Sequence, residues 1–272
     1  MEKVHLTHEK ATLLITLYAK AEESRLPDSL LRDHYAADAV ARIDHDFSKL
    51  GMNRDEMIGL SMRAYTLDAW VREFIAAHRG ATVLHLGCGL DSRVFRVDPP
   101  PDVSWFDVDY PDVIELRKKL YPSRPGYQLL GSPIANLAWL AKIPADKPTL
   151  VVAEGLFLYL QEDEVLQLLR AVTTQFPSGE IAFDAYSRWG LAMVRRNRMI
   201  RQTGALTHWS LGNPQDLESQ VPGLRLRAEQ WVYEEGDGKQ WARFTWPSRM
   251  LVWLMRRVPP LRRLGRLLRY RY

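Results

Sequence analysis

The sequence predicts an α/β fold with a mostly parallel, doubly wound sheet, preceded by a region of helices. Three observations carry this prediction. Apolar runs alternate with helical patterns between residues 81 and 185. Residues 1–79 show helical periodicity and no strand pattern. The first apolar run stops at the turn Gly87-Cys88-Gly89, as expected where a parallel strand leads into a ligand site.

The N-terminal region predicts three helical segments. Residues 7–23 place apolar side chains at helical spacing. Residues 27–47 predict a short second helical segment with loops, and residues 54–78 predict a longer helix. We expect residues 1–79 to form a helical cap that belongs to the same domain as the core, residues 80–272.

Five strands and three helices are predicted in the first part of the core. Ligands of an open parallel sheet bind beyond the carboxyl ends of its strands. We therefore expect the residues that end these strands to meet at one cleft. The predicted strands are 81–87, 103–108, 127–131, 149–154 and 180–185. The predicted helices are 91–96, 111–120 and 162–175.

The last third of the chain predicts a helical insert at about residues 188–218 and a late strand at 224–234. Glycine and aspartate at 236–238 predict a turn. Residues 268–272 alternate in the period-two manner of a half-exposed strand. These patterns together predict a late antiparallel hairpin at the edge of the sheet.

Length and composition indicate a well-filled core in a cytoplasmic protein. Hydrophobic residues make up 46% of the 272 residues, and no run approaches the ~18 apolar residues of a membrane span. The N-terminus lacks the basic start and apolar centre of a signal peptide. Cys88 is the only cysteine, so no disulfide can form within the chain, and the seven histidines are scattered. We therefore expect no metal site.

The net charge of +4 comes from one part of the chain. Residues 249–272 contain eight arginines and no acidic residue, and without those arginines the net charge would be −4. The chain is therefore a mildly acidic body with a basic end, and we expect no nucleic-acid partner. Such a segment can contact phosphate or an anionic membrane. The favoured interpretation is the solvated face of a final helix and strand.

The glycine turn and the acidic strand end that follows it predict a nucleotide-type cofactor. Glycine lets the backbone approach a ligand where a Cβ would collide. A carboxylate on the next strand, Asp107 or Asp109, can hold the two hydroxyls of a ribose. A dinucleotide-binding turn would need a third glycine where Ser92 stands, and the phosphate-binding motif G-x4-G-K-S/T is absent. The pattern favours a cofactor without a pyrophosphate, such as S-adenosylmethionine.

Three motifs resemble the leucine carboxyl methyltransferase family. They are H-L-G-C-G-L-D-S-R at 85–93, W-F-D-V-D-Y-P-D-V-I-E-L-R at 105–117 and A-E-G-L-F-L-Y-L at 153–160. The likeness spans about residues 7–187 and is greatest to the polyketide O-methyltransferases of that family. It implies a class I, Rossmann-like methyltransferase fold that uses S-adenosylmethionine and releases S-adenosylhomocysteine.

The resemblance also implies roles for individual residues. Arg63 matches the family arginine that binds the cofactor carboxylate, which a guanidinium can do with two parallel hydrogen bonds, and Lys10 is expected to share this role. Glu154 is expected to bind the cofactor amino group, the alternative being a salt bridge to an arginine such as Arg93. Asp109 is favoured over the other aspartate for the ribose. The expected cofactor-binding residues are Lys10, Arg63, Gly87, Gly89, Asp107, Asp109, Ile134 and Glu154.

Two positions depart from the patterns of related enzymes. Where the family often has Asp-Leu to hold the adenine amino group, this chain has Pro133-Ile134, and proline has no N–H to donate. Ser132 or Asn136 is the alternative adenine contact. Many methyltransferases have an acid two residues before the glycine turn, where this chain has His85. We expect His85 to be a strand residue satisfied by a hydrogen bond rather than a base.

The expected acceptor is a carboxylate on an aromatic polyketide-type small molecule. Methyl transfer from a sulfonium is an in-line displacement in which the protein mainly supplies alignment. A carboxylate is already ionised at neutral pH, whereas a phenol, with a reference pKa near ~10, would need a base that the sequence does not single out. Aromatic and methionine side chains suit a flat ring system, although core packing is the alternative for each. The expected acceptor-binding residues are Tyr159, Tyr186, Trp189 and Met193.

Other functions stay open from the sequence. Within the same chemistry, the acceptor could be a phenolic hydroxyl or the C-terminal carboxyl group of a protein. A protein on this scaffold could also bind the cofactor without transferring its methyl group. A nicotinamide-dependent reductase ranks last because of Ser92. The sequence also allows a homodimer.

Overall fold

The computed structural model describes residues 2–4, 6–233 and 240–272. The turn predicted at 236–238 lies outside the described residues. Helices and loops cover both faces of a central sheet, with one apolar cluster on each face. A third apolar cluster joins the N-terminal helices to the helix that follows the second strand.

The central sheet confirms the predicted α/β fold with a mostly parallel sheet. Its order is β3-β2-β1-β4-β5-β7-β6. Strands β1 to β5 are parallel, and β7 runs antiparallel to both of its neighbours. The strands are β1 (Thr82–Leu86), β2 (Ser104–Asp109), β3 (Tyr127–Gly131), β4 (Thr149–Ala153), β5 (Gly179–Tyr186), β6 (Arg225–Trp231) and β7 (Gly265–Arg271).

Helices fall close to the predicted ranges in the first part of the chain. The N-terminal region contains α1 (Thr12–Ser24), α2 (His34–Arg42) and α3 (Arg54–Ala77). The core and the C-terminal third contain α4 (Arg93–Val97), α5 (Pro111–Leu120), α6 (Glu162–Gln175), α7 (Arg188–Arg196), α8 (Arg198–Thr203), α9 (Asp216–Gln220), α10 (Trp246–Arg257) and α11 (Pro259–Arg262). A separate pair of two-residue strands joins Glu2–Lys3 to Ile43–Asp44.

Strand β1 lies at the point where the strand order of the sheet reverses. From β1 the chain builds outward through β2 to β3 and then returns to β4 on the other side of β1. Leu86, the last residue of β1, is in register with Val108 of β2 and Ala153 of β4. The segments that follow β1 and β4 therefore emerge side by side, which is the arrangement that creates a ligand crevice.

The longest helix, α3, connects the N-terminal region to the sheet. It begins with a capping box in which Asn53 and Glu56 satisfy each other's backbone N–H groups. Its apolar stripe, including Leu67, Val71 and Phe74, joins the cluster on one face of the sheet. This packing holds α3 against the sheet, and so it positions the polar side chains of α3 that lie near the strand ends.

The predicted late antiparallel hairpin at the sheet edge is confirmed by β6 and β7, but the prediction that the final strand is half-exposed is wrong. Strand β7 lies inside the sheet, between β5 and β6, and its residues 266–270 are buried. Arg266 and Arg269 are tolerated there because Glu229 and Glu180, respectively, bind their guanidinium groups. In the alternating segment 268–272, Arg269 is therefore buried in an ion pair instead of facing solvent.

The helical insert predicted at 188–218 is only partly helical. Helices α7 and α8 occupy its first half, and α9 lies at its end. Residues 204–215 contain no helix. Gly204 ends α8 with a φ of 72°, a left-handed conformation that terminates helices and favours glycine.

Gly190 provides a test of the close packing between α7 and the segment before β7. A Cβ at this position would lie 1.8 Å from the carbonyl oxygen of Leu264. We expect Gly190→Ala to lower the free energy of unfolding by about 2 kcal/mol or more, because backbone would have to move. Gly212→Ala is the control, since a Cβ there meets nothing within 4 Å, and its effect should stay within about 0.5 kcal/mol. Urea unfolding measures both, and equal effects would contradict the prediction.

Candidate active site

A cavity of about 760 Å³ lies over the carboxyl ends of β1, β2 and β4. Residues of α1, α3, α7 and α8 complete its wall. The structure brings most of the predicted site residues to this cavity but leaves out Asp107 and Trp189. The predicted residues that line it are Lys10, Arg63, Gly87, Gly89, Asp109, Ile134, Glu154, Tyr159, Tyr186 and Met193.

The turn Gly87-Cys88-Gly89 closes β1 and forms part of the cavity wall. Gly87 and Gly89 have φ angles of 59° and 49°, a left-handed region that glycine enters without steric penalty. A Cβ on Gly87 would lie 2.8 Å from Cδ1 of Leu156. The Gly87 N–H donates to the carbonyl of Val108 at 2.9 Å, which ties the turn to β2. Burial raises the pKa of the Cys88 thiol well above its usual value, so the thiol stays protonated.

Asp109, the last residue of β2, presents its carboxylate at the cavity. Its Oδ2 accepts the Gly89 N–H and its Oδ1 accepts the Tyr110 N–H, each at 2.7 Å. Burial raises the pKa of Asp109 to about 6, although both hydrogen bonds favour its ionised form. Each carboxylate oxygen retains capacity for another hydrogen bond. The ionised group can therefore accept two further donors from a ligand.

Asp107 was also predicted to contact the cofactor, but it lies two residues deeper in β2 and does not line the cavity. The Arg117 guanidinium binds its Oδ2, and Tyr127 Oη donates to the same oxygen at 2.6 Å. Trp105 Nε1 donates to Oδ1 at 2.8 Å, and His85 Nδ1 lies 3.1 Å from it. Burial alone would raise the pKa of Asp107, but Arg117 and these hydrogen bonds hold it at about 2. Asp107 is thus a buried anchor of the strand end.

His85 is satisfied in the strand, as predicted. Its Nε2 lies 3.1 Å from Nη1 of Arg93, on the side opposite Asp107. Burial lowers the pKa of His85, so the ring is neutral at pH 7. A neutral ring that donates from Nδ1 to Asp107 and accepts at Nε2 from Arg93 uses both of its nitrogens.

Glu154, which follows β4, is surrounded by three cations. Arg93 Nη2 donates to its Oε2, Arg63 Nε donates to Oε1 at 3.2 Å, and Lys20 Nζ lies 3.3 Å from Oε1. Burial alone would raise the pKa of Glu154, but the charges of Lys20, Arg63 and Arg93 lower it to about 2. Glu154 therefore lines the cavity, as its predicted role requires, and also forms the salt bridge to Arg93 that was the alternative.

Arg63 is held in place by a second carboxylate. Its Nη1 lies 3.0 Å from Oδ2 of Asp184 and donates to Tyr186 Oη at 3.1 Å. The other oxygen of Asp184 accepts the Gly155 N–H at 2.6 Å. Asp184 thus fixes both the guanidinium and the backbone after Glu154.

Lys10 and Lys20 both line the cavity but occupy different positions. Lys10 lies at the rim, where its Nζ is 2.6 Å from Oδ2 of Asp112. Lys20 is buried, with its Nζ 2.9 Å from Oδ2 of Asp91 and close to Glu154. The lysine at the inner wall of the cavity is therefore Lys20 of α1.

The segment after β3 meets the cavity through Pro133, Ile134 and Ala135. Neither alternative adenine contact lines the cavity. The Ser132 hydroxyl donates to the Pro133 carbonyl, and the Asn136 side chain caps the turn that follows. This part of the wall is consequently an apolar surface against which a flat ring can pack.

The far end of the cavity is formed by apolar and aromatic side chains. Tyr159, Tyr186 and Met193 line the cavity, whereas Trp189 is 78% exposed and outside it. Trp189 belongs to the first turn of α7 and points away because Gly190 is the residue packed against Leu264. Sequence reasoning missed other lining residues at this end, which are Leu206, Trp231, Met255 and Leu264.

Known proteins resemble the chain over its whole length. The leucine carboxyl methyltransferase family model matches residues 13–121. The tetracenomycin polyketide synthesis O-methyltransferase TcmP of Streptomyces glaucescens is 44% identical, over 100% of this chain and 99% of its own. The chain belongs to the leucine carboxyl methyltransferase family. The S-adenosyl-L-methionine-dependent methyltransferase dpfgK of Gibberella zeae is 36% identical, over 86% of this chain and 85% of its own.

Family membership agrees with the fold seen in solved structures. A candidate methyltransferase from Thermobifida fusca superposes with a TM-score of 0.59, at 16% identity, over 97% of this chain and 94% of its own. The glycine turn, Asp109 and Glu154 of this family member therefore lie on a scaffold of S-adenosylmethionine-dependent methyltransferases. The matched region, 13–121, includes α1 and α3 as well as β1 and β2.

Two buried residues of the site were not predicted, although the sequence contains a signal for each. Lys20 follows Leu13 and Leu17 at helical spacing, so it continues the apolar stripe of α1 into the core. A lysine on such a stripe indicates a buried carboxylate partner. Asp184 stands within the otherwise apolar run I-A-F-D-A of β5, and a carboxylate there likewise requires a partner.

The two aspartates of β2 should respond to a different extent to loss of their charge. Asp107→Asn leaves the buried Arg117 without its counter-ion, and we expect the free energy of unfolding at pH 7 to fall by about 3 kcal/mol. Asp109 makes no ion pair with any residue in the described ranges, and its raised pKa shows that ionisation is unfavourable there. In Asp109→Asn the amide nitrogen cannot accept one of the two backbone N–H bonds that the carboxylate accepts, so we expect a smaller loss of about 1 kcal/mol.

Urea unfolding of both variants between pH 2 and 7 measures this difference. The contribution of Asp107 should be complete above pH 4 and should disappear as pH falls toward 2, because its folded-state pKa is depressed. Equal destabilisation by the two substitutions would contradict the separation of roles.

Proposed function

We propose that the protein transfers the methyl group of S-adenosylmethionine to a carboxylate on an aromatic polyketide-type small molecule. One observation carries this proposal. A single cavity has the glycine turn, Asp109 and a cluster of buried charges at one end, and apolar and aromatic side chains at the other. Its volume falls within the range of small-molecule sites. TcmP, which matches this chain from end to end, is named as an O-methyltransferase of polyketide synthesis.

The cofactor end fits the three chemical parts of S-adenosylmethionine. Gly87 and Gly89 leave room for close approach of the amino-acid part, and Arg63 with Lys20 supplies positive charge for its carboxylate. Glu154 is the anion available to its amino group. Asp109 can accept the two ribose hydroxyls. When bound, the cofactor supplies a methyl group on a sulfonium, which is already activated for in-line displacement.

The adenine contact is proposed to be apolar. Pro133 and Ile134 line the cavity at the position that follows β3, next to Asp109. Proline cannot donate a hydrogen bond, so these residues offer packing and exclude water. The predicted role of Lys10 becomes a weaker one at the rim, since its ammonium group is bound to Asp112.

The acceptor end supports a flat apolar molecule with one reacting oxygen. Tyr159 and Tyr186 stand between the charged cluster and the apolar wall, and Met193 and Trp231 extend that wall. Such side chains can hold an aromatic ring system at a fixed distance from the methyl group. An ionised carboxylate needs only this alignment, because no proton has to be removed.

A phenolic acceptor is the second candidate, and one observation favours it. His208 and Glu164 also line the cavity, and either side chain is of a type that can remove a proton from a phenol. The His208 backbone N–H is fixed to the carbonyl of Leu158 at 2.7 Å, which holds this residue beside the cavity. The nature of the product separates the two candidates.

The first functional prediction concerns pH and Asp109. We expect S-adenosylhomocysteine to bind with constant affinity above about pH 7 and to bind more weakly below pH 6, by up to about tenfold per pH unit, because Asp109 must lose its proton to accept both ribose hydroxyls. Calorimetry between pH 5 and 8 measures this dependence. Asp109→Asn should bind more weakly at pH 8 and show a flatter profile.

The variant is needed because His8 and His208 also line the cavity. Equal pH dependence in wild type and Asp109→Asn would assign the effect to another group and contradict the prediction. Urea unfolding of Asp109→Asn shows whether the variant loses affinity while it remains folded.

The second functional prediction concerns the bond that is formed. With methyl-labelled cofactor and aromatic acids that also carry phenolic hydroxyls, we expect the label to enter a methyl ester. Mild alkali releases such label as methanol, whereas an aryl methyl ether resists it. Alkali-stable label would favour the phenolic candidate, and His208→Ala should then reduce kcat more than about a hundredfold. Alkali-labile label with unchanged kcat in His208→Ala would support the carboxylate acceptor.

A further inference from the structure

Helix α10 turns apolar side chains toward solvent. Of its twelve residues, only Val252 is fully buried. Trp246, Met250, Trp253 and Leu254 are between 48% and 70% exposed. At 100° per residue these four lie on the side opposite Val252. A soluble protein rarely exposes a continuous apolar surface of this kind unless something binds to it.

Arginines surround this apolar surface. Arg249, Arg256 and Arg257 lie on α10 and Arg263 follows α11, and all four are exposed. The sequence has no Asp or Glu between 240 and 272. Within the described part of the chain, no carboxylate forms an ion pair with any of these four guanidinium groups. Their positive charge is therefore available to an external partner.

Two of the arginines also stack on tryptophan rings, of which Trp253 is exposed and Trp241 is partly buried. The Arg257 guanidinium carbon lies 3.4 Å from the centroid of Trp253, and that of Arg256 lies 5.2 Å from the centroid of Trp241. Stacked guanidinium groups keep their charge while their stems cover apolar surface. The surface thus presents apolar groups and positive charge side by side.

We propose that α10 and the residues up to Arg263 form a docking surface for an anionic lipid bilayer. A helix with tryptophan and leucine on its outer side, flanked by arginines, binds in the plane of the membrane interface. The apolar side chains enter the acyl boundary while the arginines bind anionic headgroups. In the described residues no helix is long and apolar enough to cross a membrane.

A second copy of the chain fits this surface less well. In a symmetric dimer the same patch meets itself. The arginines of two copies would then approach each other, with no acidic residue in 240–272 to neutralise them. An anionic bilayer supplies that neutralisation along the whole patch.

The docking surface borders the cavity. Met255, on the inner side of α10, and Leu264, just beyond Arg263, both line it. Leu206 also lines the cavity and is 71% exposed. A bilayer on α10 would therefore lie beside the apolar end of the cavity. The docking proposal itself does not depend on the acceptor and is tested without one.

Vesicle flotation of the full-length protein tests the proposal. We expect co-flotation with vesicles of phosphatidylcholine and phosphatidylglycerol, little with phosphatidylcholine alone, and weakening as salt rises. Arg249→Glu/Arg256→Glu should lower the partition coefficient more than about tenfold. Arg79→Glu/Lys142→Glu is the charge-matched control, because both residues are exposed and lie outside the surface, and it should retain most of the binding.

A second pair of variants tests the apolar contribution. Trp253→Ser should weaken flotation several-fold, whereas Tyr65→Ser, an exposed aromatic residue of α3, should not. Absence of flotation with anionic vesicles, or equal effects of surface and control variants, would overturn the proposal. So would a dimer in sedimentation equilibrium that the α10 variants dissociate while wild type fails to bind vesicles. Circular dichroism of each variant confirms that the fold is retained.

Discussion

The structure depends on the way in which Arg93 is satisfied. Its guanidinium is fully buried and binds Asp68 of α3, His85 of β1 and Glu154 after β4. A buried charge is tolerated only when its partners are in place. Helix α3 and strands β1 and β4 must therefore be docked together before Arg93 can be buried, and this requirement aligns the strand ends around the cavity.

The same requirement makes the N-terminal helices part of the site. Glu154 receives Lys20 from α1 and Arg63 from α3 in addition to Arg93. These three cations are also paired with Asp91, Asp184 and Asp68, so the cluster carries no excess of positive charge. A ligand that brings both a carboxylate and an ammonium group can join this cluster without changing its net charge. The cluster thus favours an amino acid over a simple anion.

Much of the fold could be predicted because it depends on local patterns. The helix-strand alternation predicted the first five strands along the chain, since four of them are largely buried and contain a short apolar run, while β3 is partly exposed. Asp109, which was favoured over Asp107, does line the cavity. The reason is its position along the strand. The two side chains share a face of β2, and only the last residue of the strand reaches the cavity. Arg117, which binds the deeper carboxylate, lies on α5, and no local pattern links it to Asp107.

The basic end of the chain shows where local patterns fail. Its arginines look alike in sequence, yet they have two different environments. Arg266 and Arg269 are buried in β7 because Glu229, Glu180 and Glu73 are within reach on neighbouring elements. Arg249, Arg256 and Arg257 are exposed to solvent, and the last two stack on Trp241 and Trp253 rather than on a carboxylate of the described residues. The position of carboxylates distant in sequence therefore decides which arginines stabilise the sheet and which remain free to bind a partner.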